Sequence, residues 1–157
     1  MPMIETVEAL RAAVGQELGV SGWHPVEQAA VDGFADATGD HQWIHVDRAR
    51  AAQGPFGGTI AHGFFTLALF PQLVQELVQV RSSGMGINYG CNRVRFPAPV
   101  PVGARVRLRV QLAAVEDLAE GAVQAVFHGV FEIDGRSKPG CVADIVFRYY
   151  PSAPLLS

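Results

Sequence analysis

The strongest constraint on the fold is a change of hydrophobic period near residue 85. Before it, residues 62–79 have a helical pattern that is apolar nearly all round in its first half, which predicts burial on every side. After it, apolar and polar residues alternate, as in 105–110, which predicts β-strands. We expect antiparallel strands at about 86–97, 104–117, 121–134 and 137–150, each paired with its neighbour. The pattern therefore predicts an α+β fold with one long central helix wrapped by a curved antiparallel sheet.

Shorter helices are predicted before the long one. Apolar residues recur at helical spacing over 5–18 and 26–38, and Gly39 follows the second helix, where a C-terminal cap favours positive φ. A further short helix is predicted over 47–52, with its first residue, an aspartate, as the N-cap. Pro71 falls inside the long helix and should kink or interrupt it.

Length and composition exclude several classes of protein. The 157 residues correspond to one domain, 1–157, with a core at about 5–150. Hydrophobic residues make up 49% and charged residues 17%, which excludes a disordered chain and suggests that some apolar surface lies in a subunit interface. A net charge of -3 argues against nucleic acid as a partner.

The sequence predicts a cytoplasmic protein without a membrane span. Its longest apolar run, 64–70, is too short to cross a bilayer. The N-terminus carries an acid where a secretory signal would carry bases. Cys91 and Cys141 have no metal-ligand spacing, so we expect buried free thiols in a reducing compartment.

Residues 38–45 contain the best candidates for chemistry. They place one acid, Asp40, and two imidazoles, His41 and His45, within eight residues, and an aspartate with a histidine is the pair that can hold and deprotonate a water molecule. Alternatively, Asp40 and His41 are turn residues and His45 is a structural core histidine. His41 and His45 have the spacing of a zinc-protease helix, but Gln42 replaces the required glutamate, so no zinc is expected.

A second candidate is the start of the long helix, at His62 and Gly63. The first N–H groups of a helix lack internal partners, and they can stabilise a developing oxyanion. Alternatively, Gly63 only permits close packing. Arginines at alternate positions in the strands are expected on a solvated outer face, although some could instead bind the phosphates of a nucleotide-bearing substrate.

These motifs together resemble the MaoC-like dehydratases, the family of (R)-specific enoyl-CoA hydratases with the hot-dog fold. The resemblance covers about residues 5–150, and its motifs lie at 34–45, 57–63, 88–90, 92–96 and 99–103, the last three matching the NodN-like branch. Two departures stand out. Gln42 and Trp43 replace a common Asn-Pro pair, and Pro71 stands where some relatives carry a serine.

The resemblance implies that Asp40 and His45 are the catalytic pair and that Gly63 supplies the oxyanion donor. It also implies a wider group of substrate-binding residues, namely His62, Gln42, Asn88 and Tyr89. The implied reaction adds water to trans-2-enoyl-CoA and gives (R)-3-hydroxyacyl-CoA. No metal or other cofactor is expected, because coenzyme A belongs to the substrate and hydration involves no redox step. The fold implies a homodimer in which two sheets join.

Two other functions compete with this interpretation. A hot-dog acyl-CoA thioesterase would share the fold and the partner, but it typically lacks the Asp40 and His45 pair. A non-catalytic acyl-CoA binding module would tolerate loss of either residue, and both are present.

Overall fold

A six-stranded antiparallel sheet is the central element of the computed structural model, which describes residues 3–152. The strands are β1 (Glu17–Val20), β2 (His24–Pro25), β3 (Ser83–Arg95), β4 (Arg105–Asp117), β5 (Val123–Ile133) and β6 (Cys141–Pro151). The helices are α1 (Val7–Ala12), α2 (Gln28–Thr38), α3 (Trp43–Val46), α4 (Arg48–Ala52), α5 (Gly63–Ala68) and α6 (Phe70–Val74). None of the helices in the described residues is long and apolar enough to cross a bilayer.

The sheet confirms the predicted α+β class and the four long antiparallel strands. Its order is β1-β4-β5-β6-β3, with β2 also paired to β4. One expectation is wrong, because β3 pairs with β6 and not with β4, the next strand in the chain. The connection between β3 and β4 contains three prolines, at 97, 99 and 101, which cannot continue a ladder. This connection carries the chain from the β3 edge to the other side of the sheet.

The predicted long helix 62–79 is instead two short helices, α5 and α6, that meet at Leu69. Pro71 has no N–H to donate to the Leu67 carbonyl, so the helix is interrupted and restarts with Pro71 in its first turn. The expected burial on every side is also wrong, because Phe64 is 68% exposed while Phe70 is 1% exposed. Phe65 and Thr66, in the same helix as Phe64, are buried, so α5 is covered by other described residues on one face and exposed on the other.

The first half of the chain contains two strands that periodicity did not predict. The expected helix over 5–18 ends at Ala12, and residues 17–20 form β1 beside β4. Gly15 causes the change, since its φ of +83° ends the helical path and its N–H donates to the Leu112 carbonyl at 2.7 Å. The caps at Gly39 and Asp47 are confirmed, the first by a φ of +79° and the second by a 3.0 Å bond from the Arg50 N–H.

Apolar side chains from α6 and the sheet interdigitate in the core. Phe70 lies 5.9 Å from Phe127 and 5.6 Å from Phe147, measured between ring centroids. On the opposite face of the sheet, Arg107 and Arg109 pair with Glu132 at 2.6 and 2.8 Å. Burial acts to raise the pKa of Glu132, but the two arginines outweigh it and lower that pKa. The arginine stripe of β4 is therefore a charged outer face, as expected.

The two cysteines are free, and only one of them is buried as expected. Cys141 lies in the core, where burial raises the pKa of its thiol to about 12. Cys91 is exposed because it lies on β3, the edge strand of the sheet.

The core packing predicts a contrast between two adjacent residues of β5. Phe127 is fully buried between Phe70 and Phe147, so Phe127→Ala should lower the free energy of unfolding by about 3–5 kcal/mol. Val126 points to the other face and is only half-buried, so Val126→Ala should cost less. Urea unfolding of both variants measures the difference. Equal losses would contradict this packing.

Candidate active site

Asp40 follows directly after the C-terminal cap of α2. Gly39 donates its N–H to the Ala35 carbonyl at 2.8 Å, and its positive φ turns the chain out of the helix. Asp40 is exposed, and from the described residues its carboxylate accepts only a long 3.4 Å bond, from the Gln42 N–H. This carboxylate is therefore free to contact a ligand.

His45 is held in α3 in one orientation. Its side chain is buried, and its Nδ1 lies 2.7 Å from the Ile60 carbonyl oxygen. Because a carbonyl only accepts, Nδ1 must carry the hydrogen, which leaves the lone pair of the neutral ring on Nε2. A second bond, from the Ile60 N–H to the Ile44 carbonyl at 2.9 Å, fixes the same two segments. The ring is thus prepared to accept a proton at Nε2.

A buried glutamine supports the backbone of His45. Gln28, the first residue of α2, donates its side-chain N–H to the His45 carbonyl at 2.7 Å and to Asp32 at 2.8 Å. Its amide oxygen accepts the Thr59 hydroxyl at 2.5 Å. The sequence analysis missed Gln28, because nothing in the spacing of a glutamine at a helix start indicates a contact with residues 45 and 59.

His62 lies between the two predicted catalytic residues. Its ring stacks on that of His45, with centroids 3.8 Å apart and planes 25° apart. Its Nε2 donates to the backbone carbonyl of Asp40 at 2.9 Å. One side-chain ligand atom from each of Asp40, His45 and His62 lies within 4.8 Å of the others. His62 therefore positions both Asp40 and His45.

Gly63 begins α5 at the wall of a cavity of about 270 Å³, which His45 also lines. A Cβ at Gly63 would lie 2.9 Å from the ring of Phe96, so no larger residue fits without displacing that ring. Within residues 3–152 the Gly63 N–H has no hydrogen-bond acceptor. Close packing and a free donor thus occur together at this position.

The other predicted site residues are more dispersed. Asn88 lines a second cavity, of about 300 Å³, together with Phe34 and Phe64. Tyr89 lies elsewhere, on the guanidinium of Arg148 at 3.5 Å from the ring centroid, and lines neither cavity.

Gln42 and His41, which lie beside Asp40 in the 38–45 motif, make no hydrogen bond with the other candidate site residues through their side chains. Gln42 is exposed and its side chain bonds to no described residue. His41 forms an exposed pair with Asp36 at 2.8 Å, and the bond to that carboxylate raises the pKa of His41. His41 is thus not part of the cluster formed by Asp40, His45, His62 and Gly63.

Residues 9–131 match the family described as MaoC like domain. The chain belongs to the MaoC-like dehydratase family. It is 55% identical over 149 residues to 3-hydroxyacyl-thioester dehydratase Z of Mycobacterium tuberculosis, covering 95% of this chain and 99% of that one. It is also 44% identical over 133 residues to Nodulation protein N of Rhizobium leguminosarum bv. viciae, covering 83% of each.

Solved structures confirm the hot-dog fold. The (R)-hydratase from A. caviae superimposes with a TM-score of 0.65 at 25% identity, covering 85% of this chain and 94% of that one. Relatives of the present chain are named as a dehydratase and a hydratase, and this MaoC-like protein is accordingly a hydro-lyase. The predicted family, fold and enzyme class are therefore confirmed.

The contacts of Gln28 predict a coupled loss of stability. Gln28→Leu leaves the buried Thr59 hydroxyl and the His45 carbonyl without partners, which should cost about 1–3 kcal/mol of unfolding free energy. Adding Thr59→Val to this variant should lower the free energy of unfolding by less than Thr59→Val does in the wild type, because the Thr59 hydroxyl has already lost its acceptor. Urea unfolding of the two single variants and the double variant measures this coupling. Strictly additive losses would show that the bond does not form.

Proposed function

We propose that this protein catalyses the reversible hydration of trans-2-enoyl-CoA to (R)-3-hydroxyacyl-CoA. The observation that carries the proposal is the fixed ring of His45, one nitrogen of which lies within 4.8 Å of the Asp40 carboxylate. Two named relatives, a 3-hydroxyacyl-thioester dehydratase and an (R)-hydratase, support this reaction class.

Asp40 and His45 would bind one water molecule between them. His45 accepts a proton at Nε2 as the water oxygen bonds to C3 of the enoyl group. The electron pair of the C2–C3 double bond moves toward the thioester oxygen and forms an enolate. The enolate then takes a proton at C2 from the catalytic pair, so that one water is added in total. The reverse sequence dehydrates the hydroxyacyl thioester.

The Gly63 N–H would stabilise the enolate oxygen. It is a donor without an acceptor in the described residues, and it shares a cavity with His45. A donor fixed in advance stabilises charge that develops in the transition state without reorganising at that moment. This role explains why a backbone N–H at a position without a side chain suits the reaction.

The second cavity suits the acyl chain of the substrate. Phe34, Phe64 and Leu67 contribute apolar walls to its volume of about 300 Å³. Phe34 also lies 4.8 Å from the ring of His62, so this apolar space adjoins the catalytic cluster. Apolar cavities of this size with a few polar groups are typical of small-molecule sites.

We propose that the reaction uses no metal, although Asp40, His45 and His62 are close enough to share an ion. The two imidazoles are stacked 3.8 Å apart, so their in-plane lone pairs lie in nearly parallel planes. Tetrahedral zinc requires ligands that converge from well-separated directions. Hydration of a conjugated thioester also needs no redox centre.

The edge strand β3 suits a homodimer. It pairs with β6 on one side only among the described residues, and it exposes Met85, Ile87 and Tyr89. A 13-residue edge with apolar side chains is a template for pairing with another strand. A second copy of this chain, placed edge to edge, would satisfy the free backbone groups and cover these side chains.

The dimer proposal predicts an effect of charge on β3. Ile87→Lys should shift the protein from dimer to monomer, because it places a charge in an apolar interface. Sedimentation equilibrium measures the association constant. Val14→Lys, at an exposed position beyond α1, is the matched control and should leave association unchanged. Equal association of the Ile87 variant and the wild type would contradict pairing through β3.

The proposed reaction predicts hydratase activity on crotonyl-CoA and longer trans-2-enoyl-CoAs. The assay measures the loss of enoyl absorbance and determines the chirality of the product. Asp40→Asn and His45→Gln should each lower kcat by at least about 100-fold, the usual scale for a positioned acid–base group. Because both act on one water, the double variant should be little worse than either single variant. Activity should survive dialysis against a chelator.

A parallel measurement of free thiol separates hydration from thioester hydrolysis. Thiol release without loss of the double bond would favour a thioesterase. Binding of acyl-CoA without either change would favour a non-catalytic module. Retention of most hydratase activity in a folded Asp40→Asn variant would contradict the assigned mechanism.

A further inference from the structure

A buried threonine hydroxyl in α5 has no hydrogen-bond partner in the part of the chain that the structure describes. Thr66 is 1% exposed, and its Oγ1 bonds to no other atom of residues 3–152. Most buried polar side chains in proteins are hydrogen-bonded, because an unpaired one has lost its contact with water without compensation. An acceptor or donor from outside the chain would remove this cost.

A second threonine in the same protein shows what Thr66 does not do. Threonine in a helix commonly donates to the carbonyl four residues earlier. Thr38 does so, with a 2.8 Å bond to the Phe34 carbonyl. The corresponding carbonyl for Thr66 is that of His62, which accepts the Thr66 backbone N–H at 3.3 Å but not its hydroxyl. The Thr66 hydroxyl is therefore not satisfied within its own helix.

The free hydroxyl belongs to the catalytic cavity. Thr66 lines the same cavity of about 270 Å³ as His45 and Gly63. Positions three residues apart lie on one face of a helix, so the Thr66 side chain and the Gly63 backbone share a wall. Asp40, the other proposed ligand of the water molecule, does not line this cavity. The hydroxyl thus lies on the side of the proposed oxyanion donor.

We propose that Thr66 donates its hydroxyl hydrogen to the thioester oxygen of the substrate, as a second donor beside the Gly63 N–H. The inference rests on the proposed hydration reaction, which places the thioester oxygen at this wall. As the enolate forms, charge accumulates on that oxygen, and both hydrogen bonds strengthen. A hydroxyl kept unpaired in the free enzyme is available for this bond without first breaking another.

Thr66→Val tests the hydroxyl, because valine has nearly the same shape and no donor. We expect kcat to fall by about 10- to 100-fold, somewhat less than for loss of a sole oxyanion donor, since the Gly63 N–H remains. The KM for crotonyl-CoA should change less than kcat, because the bond is strongest in the transition state. Thr66→Ser keeps the donor and should restore most of kcat.

Thermal unfolding provides a readout that does not depend on catalysis. A hydroxyl without a protein partner contributes nothing to the free enzyme, so Thr66→Val should leave Tm unchanged or higher. A loss of several degrees, about the effect of one broken hydrogen bond in a protein of this size, would show that the hydroxyl serves the fold through a bond to the chain or to a buried water. That result would overturn the proposal.

The carbonyl stretch of bound substrate tests the bond directly. In Asp40→Asn, which should bind crotonyl-CoA without converting it, the thioester carbonyl of isotope-labelled crotonyl-CoA should shift to lower frequency on binding. Adding Thr66→Val should reduce that shift, and adding Thr66→Ser should retain it. An equal shift in all three proteins would overturn the proposed bond.

The outcomes separate the two levels of inference. A wild-type protein that hydrates no enoyl thioester refutes the proposed function and the role of Thr66 with it. An active wild type with an equally active Thr66→Val variant refutes only the role of Thr66. Activity lost in the valine variant and recovered in the serine variant, with unchanged Tm, supports both.

Discussion

The bond from Nδ1 of His45 to the Ile60 carbonyl determines how the candidate active site is built. It places the hydrogen of the neutral ring on Nδ1 and so leaves the lone pair on Nε2. It also ties α3 to the segment before α5, and that segment is itself bonded to the connection leading into β4, through Ala61 to Val100 and Val102 to Thr59. The His45 ring is thus positioned through the connection between β3 and β4, although it lies itself in a short helix.

The interruption of the long helix at Leu69 separates two tasks. After it, α6 is packed into the core through Phe70 and Leu73, which are 1% exposed. Before it, α5 presents Gly63 and Thr66 to the cavity. In a continuous helix the two parts would share one axis. The break allows α6 to take the orientation that packs it into the core, and α5 to take the orientation that lines the cavity. Pro71 could not donate the backbone hydrogen bond that a continuous helix requires, so the break at Leu69 costs little free energy.

The sequence predicted those features that depend on local pattern. Strict alternation located the four long strands within a few residues, because the period of a half-buried strand is short and repeats many times. It missed β1, where only four residues pair and Gly15 redirects the chain. The family motifs supplied Asp40, His45 and Gly63. Gln28 and Thr66 could not be found this way, since their importance lies in contacts, or in a missing contact, that only the folded chain defines.

The two residues proposed as the catalytic pair differ in exposure, and the proposed chemistry depends on this difference. His45 is buried, but Asp40 is exposed, and the apolar Phe64 beside the second cavity is 68% exposed. Hydrogen bonds to a developing enolate are worth more when bulk water is excluded. The single chain alone leaves one side of its site in contact with solvent. In the proposed reaction, the bound thioester excludes water from that side, together with the second copy proposed to pair along β3.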